Sequence, residues 1–396
     1  MSGRKTRSTG PAAPVRTSAV RSTDGNLDID DLLGDRNVDI IVCCGAGGVG
    51  KTTTAAALAL RAAEQGRKVC VLTIDPARRL AQSMGLTELD NTPRPVKGVD
   101  TSAGGSLDAM MLDMKRTFDD VVEKHASPEK AQQILQNPFY IALSSSFAGT
   151  QEYMAMEKLG QLHGDSDTWD LIVVDTPPSR SALDFLDAPE RLSSLLDGRF
   201  MRIMVAPARG PARVLTAGLS LVTGALNKIM GAQFLTDMQA FVSALDTIFG
   251  GFRQRAEATF RLLQADETAF LVVAAPEPDA IREAAYFAER LTSERMPLAG
   301  LVVNRYHQSS SRSISSADAE SGARRLEQLA DVPAAEATAD LLRVHAARAK
   351  RAQREKKVVA RFTAGHPRVP TVSVPALAGD VHDLDGLREI GNLLGG

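Results

Sequence analysis

The chain has 396 residues, 44% of them hydrophobic and 24% charged, enough for two domains or for one large α/β domain carrying an insertion. A formal net charge of −2 gives the surface as a whole no affinity for nucleic acid. No segment reaches the roughly 18 uncharged apolar residues that span a bilayer; the nearest, Val214 to Leu226, is too short. The expected setting is therefore the cytoplasm, with at most peripheral contact with a membrane.

Residues 1–30 read as a disordered basic tail. The segment is rich in Ser, Thr, Pro and Gly, lacks an apolar run, and carries Arg4, Lys5, Arg7, Arg16 and Arg21. Residues 31–396 read as the folded domain. Asp39 to Cys44 forms a short apolar strand, a glycine loop follows, Lys51 to Glu64 is an Ala-rich helix, and Lys68 to Ile74 is a second strand. Further apolar runs are Asp108 to Leu112, Trp169 to Val174, Ala269 to Ala274, Leu298 to Val303 and Val369 to Val374. Strands alternating with helices imply an α/β fold, a doubly wound and mostly parallel sheet covered on both faces. Residues 115–162 and 189–263 break the alternation and read as helices only. They are assigned to an all-helical subdomain inserted in the α/β body. Residues 308–318 are Ser-rich and read as a loop.

Cys43, Cys44 and Cys70 are the only cysteines. Cys43 and Cys44 are neighbours on one strand and must point to opposite faces. Without a C-x-x-C pair no structural zinc site is expected.

Gly45-Ala46-Gly47-Gly48-Val49-Gly50-Lys51-Thr52 matches G-x-x-x-x-G-K-[ST] between a strand and a helix. Glycines let the backbone curl so that several N–H groups point at phosphates, and the helix adds its positive end. Lys51 would reach the β- and γ-phosphates, the Thr52 hydroxyl would ligate Mg²⁺, and Thr53 follows. The expected cofactors are ATP and Mg²⁺. The same residues also satisfy the dinucleotide fingerprint G-x-G-x-x-G, with Asp75 placed as a ribose-binding acid. Two features oppose that reading: a dinucleotide loop has no need of Lys-Thr after its last glycine, and Leu171 to Asp175 reads as a strand ending in a Mg²⁺-holding carboxylate. Asp75 could orient the attacking water, or cap a helix starting at Pro76, or both.

With these residues in hand, the chain resembles the ArsA family, which includes arsenite-pump ATPases and the ATPases that target tail-anchored membrane proteins; MinD and ParA are more distant relatives. The resemblance rests on the glycine loop with Lys51-Thr52-Thr53, on Asp75-Pro76-Ala77 as a switch I and on Asp175-Thr176-Pro177-Pro178 as a switch II. It implies that Asn304 contacts adenine and that Pro375 to Leu377 form an adenine loop. It also implies a dimer that ATP closes, with helical subdomains that move on closure. The family loop begins Gly-Lys-Gly-Gly, and that Lys reaches the partner's phosphates; here the position is Ala46. A different cation, a non-identical partner that supplies the Lys, or very slow hydrolysis could account for this. A heterodimer with a related ATPase is preferred to a homodimer. The arsenite-binding cysteine trio is missing from the helical region, so arsenite transport is not expected.

Methionines concentrate between Met110 and Met238. Leu215, Leu219, Val222, Leu226 and Ile229 form one helical stripe, and Met230 and Met238 belong to the same helical region. It reads either as a subdomain core or as a groove for an apolar helix of a client. Residues 343–361 hold eight Lys or Arg and a single acid, Glu355. This reads as a basic helix, either a solvated face or a docking surface for a membrane or an acidic partner. The near absence of interleaved aromatics leaves no strong case for nucleic acid. Two alternative functions remain beside a client-handling ATPase: a nucleotide-gated regulatory subunit with weak hydrolysis, and a ParA/MinD-like positioning ATPase.

Overall fold

Continuous runs of buried apolar residues carry the chain into a parallel sheet covered on both faces. The computed structural model describes residues 25–75, 79–86, 88–138, 140–141, 144, 150–165, 167–177, 254–308, 314–328 and 333–396. Within them the strands are β1 Ile40–Cys44, β2 Lys68–Thr73, β3 Arg94–Pro95, β4 Ser106–Met111, β5 Leu171–Asp175, β6 Thr268–Ala274, β7 Leu298–Tyr306 and β8 Thr371–Pro375. They form one sheet in the order β3-β4-β2-β5-β1-β6-β7-β8. Every pairing is parallel except β3 with β4. The seven apolar runs of the sequence all became strands. The two-residue β3 edge was not foreseen, because Arg94–Pro95 has no apolar pattern and pairs only through its neighbour.

The helices are α1 Ile29–Gly34, α2 Lys51–Glu64, α3 Arg79–Ser83, α4 Met114–His125, α5 Pro128–Leu135, α6 Thr150–His163, α7 Pro278–Ser293, α8 Ser316–Glu327, α9 Ala335–Gly365 and α10 Leu384–Gly395. Residues 254–263 are also helical. Two apolar layers flank the sheet. One contains Ile41 and Cys43 of β1 with Leu32, Leu58 and Leu387 from α1, α2 and α10. The other contains Ile40, Val42 and Cys44 with Phe118, Met154 and Phe287 from α4, α6 and α7. The period-2 side-chain alternation of a strand thus sends Cys43 and Cys44 to opposite layers.

Two expected boundaries move. The tail was expected to reach residue 30, but Leu27 and Ile29 are buried and Leu27 N–H donates to the Thr371 carbonyl at 3.0 Å. Their apolar side chains complete the layer over α2, which isolated reading of a polar segment misses. The Ser-rich loop was expected to reach Asp318, but Ser315 caps α8 by accepting from the Asp318 N–H at 3.1 Å, the ordinary role of serine at a helix start. Residues 1–24 and most of 189–263, including Leu215, Leu219, Val222, Leu226, Met230 and Met238, lie outside the described residues.

Arg67 locks the opposite end of the sheet from the glycine loop. It is 1% exposed. Its guanidinium donates to the carbonyls of Leu33, Asp35 and Val38, and to both the carbonyl and the carboxylate of Asp170.

Candidate nucleotide site

The chain leaves β1 toward β2 on one side of the sheet and later returns to β6 on the other. The C-terminal end of β1 is therefore the topological switch point, where open α/β sheets bind ligands. Residues 45–50 make the turn there. Gly45, Gly48 and Gly50 have φ of 148°, 74° and 95°, conformations that favour glycine. A Cβ on Gly45 would lie 2.1 Å from the Val273 carbonyl oxygen, so β6 and the loop meet backbone to backbone. Gly50, left-handed, starts α2 without a side-chain cap. The first N–H groups of α2 are thus left to a ligand.

The functional side chains converge on this turn. Lys51 is buried, and its Nζ donates to the Ala46 carbonyl at 2.7 Å. Burial pulls its pKa below the ordinary lysine value, while Asp175 opposes the shift. Thr52 Oγ1 donates to Asp175 Oδ2 at 2.7 Å, and Thr73 Oγ1 donates to the same oxygen at 2.9 Å. Asp175 is fully buried, and burial pushes its carboxyl up to about 6 despite both hydroxyls and the Lys51 charge. Its Oδ1 is buried without a partner among the described residues. An isolated buried carboxylate oxygen is costly. An oxygen-loving cation beside Thr52 would satisfy it, so the donor set fits Mg²⁺.

A bulge in β7 supplies the opposite wall. The register with β8 shifts between Val303 and Tyr306, where Arg305 takes φ of 58°. A left-handed residue in a strand re-aims its neighbours. Here Asn304 Nδ2 donates to the Val49 carbonyl at 2.9 Å and its Oδ1 accepts from the Arg305 N–H at 2.9 Å. Arg305 Nη1 donates to the Gly48 carbonyl at 3.3 Å. The end of β8 lies alongside, with the Ala376 N–H donating to the Tyr306 carbonyl at 3.0 Å.

One cleft of about 1400 Å³ joins these parts; Ala46 to Thr53, Asp75, Asn304 and Pro375 to Leu377 all line it. Every sequence-selected nucleotide residue lines this cleft except Gly45, which shapes its floor from beneath, and Asp175, which reaches it through Thr52. Asp75 N–H donates to Thr73 Oγ1 at 3.2 Å. The start of a helix at Pro76 lies outside the described residues.

Sequence reading missed Thr73 and the wall formed by His307, Arg351 and Glu355, and it named Thr176 only as part of the switch II motif. Thr73 was legible in principle, as a polar residue ending an apolar strand beside the Asp175 strand. Thr176 Oγ1 donates to the Cys43 carbonyl at 2.9 Å and holds the end of β5 to β1. Glu355 is buried and accepts from the His307 N–H at 2.7 Å and from Arg351 Nε at 2.8 Å. It sits in the basic helix of the sequence, and no local pattern says that one turn of it faces the cleft.

Comparison with known proteins agrees with this geometry. The family model for anion-transporting ATPases matches residues 38–332. The chain is 27% identical over 297 residues to the ATPase GET3 of Ajellomyces dermatitidis, covering 73% of this chain and 80% of that protein. It is 29% identical over 166 residues to the ATPase GET3 of Candida glabrata, covering 39% and 46%. It is 25% identical over 236 residues to a putative arsenical pump-driving ATPase of Halobacterium salinarum, covering 57% and 35%. A glycine-rich turn at the switch point, a buried carboxylate beside Thr52 and a family match over most of the chain lead to one conclusion: this protein belongs to the anion-transporting (ArsA) family of ATPases.

Proposed function

We propose that the chain binds and hydrolyses Mg-ATP in this cleft as one half of a dimer, and couples dimer closure to an apolar client. The observation that carries the nucleotide part is the buried Oδ1 of Asp175, without a partner among the described residues, behind a loop whose glycines hold positive φ. Loop amides 45–50 and Lys51 hold the triphosphate. Lys51 Nζ, resting on the Ala46 carbonyl, moves to the stronger acceptor that phosphate offers. Thr52 and Asp175 would hold the metal, which would supply charge neutralisation for the triphosphate. Thr73 fixes the Asp175 rotamer through its hydrogen bond. Asp75 orients the attacking water, and Asn304 with Pro375 flanks the base.

Ala46 decides the partner. Its methyl carries no charge, so two copies of this chain would lack the cation that a family dimer exchanges across its interface. A non-identical partner that donates a Lys restores one competent site; cations of this kind are worth roughly 10³–10⁵ in rate. We assign the client surface to residues 115–162 and 189–263. The working place is the cytoplasm, at times on the membrane surface; no helix among the described residues is long and apolar enough to cross a membrane. The second reading, a regulatory subunit with weak hydrolysis, rests on the same Ala46.

Calorimetry with ATP, with and without Mg²⁺, tests the site: uptake is expected, weakened about tenfold or more by Lys51→Ala. Turnover of the chain alone and with partners co-purified in ATP tests the pairing. Brisk turnover by the lone chain removes the heterodimer.

A further inference from the structure

Helix α9 turns one flank to the nucleotide cleft through Arg351 and Glu355. Another flank carries a feature that the cleft does not use. Lys350, Arg354, Lys357 and Arg361 follow one another at intervals of four, three and four residues, and all are exposed. At 100° per residue they fall within a sector about 60° wide, and they extend over roughly 16 Å of helix. None of the four pairs with a carboxylate among the described residues. Other basic residues of α9 do: Arg343 pairs with Glu327 and Asp340, and Arg351 with Glu355. Glu355, the only acid between residues 341 and 365, is turned inward. Among the described residues the row is therefore unneutralised, on a chain whose net charge is −2. Like charges four apart weaken a helix, and an ordinary solvated face mixes signs.

We propose that this row docks the protein on the anionic surface of a phospholipid bilayer. Four cations in line on a straight helix meet a plane simultaneously. Their exposed neighbours are Ala347, Gln353, Ala360 and Ala364, which keep bulk away from the contact. Those neighbours also argue against a protein partner, since a protein interface needs aromatic or aliphatic anchors at its centre. They equally lack the aromatic platforms that stack single-stranded bases. Each cation near an anionic surface is worth on the order of fivefold in partitioning. Because Glu355 ties α9 to His307 at the end of β7, docking fixes how the nucleotide cleft faces the membrane. The inference stands apart from ATP hydrolysis and from the identity of any client.

The test is co-sedimentation of the full chain with vesicles of phosphatidylcholine alone, or mixed two to one with phosphatidylglycerol. Binding is expected only to the mixed vesicles, and it should fall steeply as salt rises. The variant Lys350→Gln/Arg354→Gln/Lys357→Gln/Arg361→Gln should lose roughly 600-fold in partitioning, four factors of about five, while keeping its far-ultraviolet circular dichroism and its uptake of ATP. The variant Arg348→Gln/Lys356→Gln removes two exposed cations of α9 that lie off the row, and should bind as the parent does. Equal binding to neutral vesicles, undiminished binding by the fourfold variant, or an equal loss in the off-row variant overturns the proposal. So does a DNA duplex that displaces the protein from vesicles at matched phosphate concentration.

Discussion

Substituting Gly50 by Ala tests how the loop and β7 depend on each other. Gly50 has φ of 95°, and a Cβ there would lie 2.1 Å from Asn304 Nδ2. The amide cannot step aside freely: its Nδ2 holds the Val49 carbonyl at 2.9 Å and its Oδ1 holds the Arg305 N–H at 2.9 Å. Left-handed strain for a residue with a Cβ costs about 1–2 kcal/mol, and the overpacking adds roughly 1–3 kcal/mol. Asn304→Ala alone removes hydrogen bonds worth about 1 kcal/mol each. In the double variant the clash is gone while the backbone strain remains. Its loss should fall below the sum of the single losses by about 1–3 kcal/mol. Urea unfolding of the four proteins without nucleotide measures this, with Gly48→Ala as control. Gly48 has φ of 74°, but a methyl added there would meet nothing within 4 Å, so only the backbone strain of about 1–2 kcal/mol is expected. Additivity of the Gly50 and Asn304 losses within about 0.5 kcal/mol would show that the loop does not lean on Asn304.

Two further predictions concern the frame around the site. Arg67→Met should destabilise the chain by about 3–5 kcal/mol, because it leaves buried carbonyls and the Asp170 carboxylate without their donor; Arg67→Lys should rescue little, since one ammonium cannot span the same acceptors. Chemical denaturation measures both, and a loss under about 1 kcal/mol for Arg67→Met would contradict the burial argument. Asp30 accepts from Arg61 Nε and Nη2, each at 2.6 Å, and this holds its pKa below the ordinary value of 3.8. A depressed folded pKa gives stability that is present above the unfolded value and lost as pH falls through the folded one. Solvent screening keeps the pair under about 1 kcal/mol. Asp30→Asn should therefore melt slightly lower than the parent at neutral pH, and the two curves should converge below about pH 4; a gap that persists in acid refutes the ion-pair explanation.

Much of the site was legible because its chemistry is local in sequence. Phosphate binding by a strand-loop-helix turn needs glycines, a lysine and a hydroxyl within eight positions, so Gly45 to Thr52 declared themselves without any knowledge of the rest of the chain. Asp175 was legible for a similar reason: a carboxylate that ends an apolar strand in a parallel sheet arrives at the edge where the loop lies. Thr73 and Glu355 were not legible in this way. Thr73 matters only because β2 lies next to β5, with Thr73 in register with Asp175, and strand order is not written in either segment. Glu355 looked like a stray acid in a basic helix until packing turned it inward to His307.

By itself, the sequence determined the seven parallel strands, the boundaries of α2, the opposite faces of Cys43 and Cys44, and the composition of the glycine loop. Each follows from periodicity or from the conformational needs of a few adjacent residues. Tertiary structure alone decided the strand order, the bulge at Arg305 that aims Asn304 at the Val49 carbonyl, the burial that lifts the Asp175 carboxyl to about 6, and which flank of α9 meets the cleft and which meets solvent. These depend on contacts between residues far apart in the chain, whose free energies exist only once the sheet has brought them together.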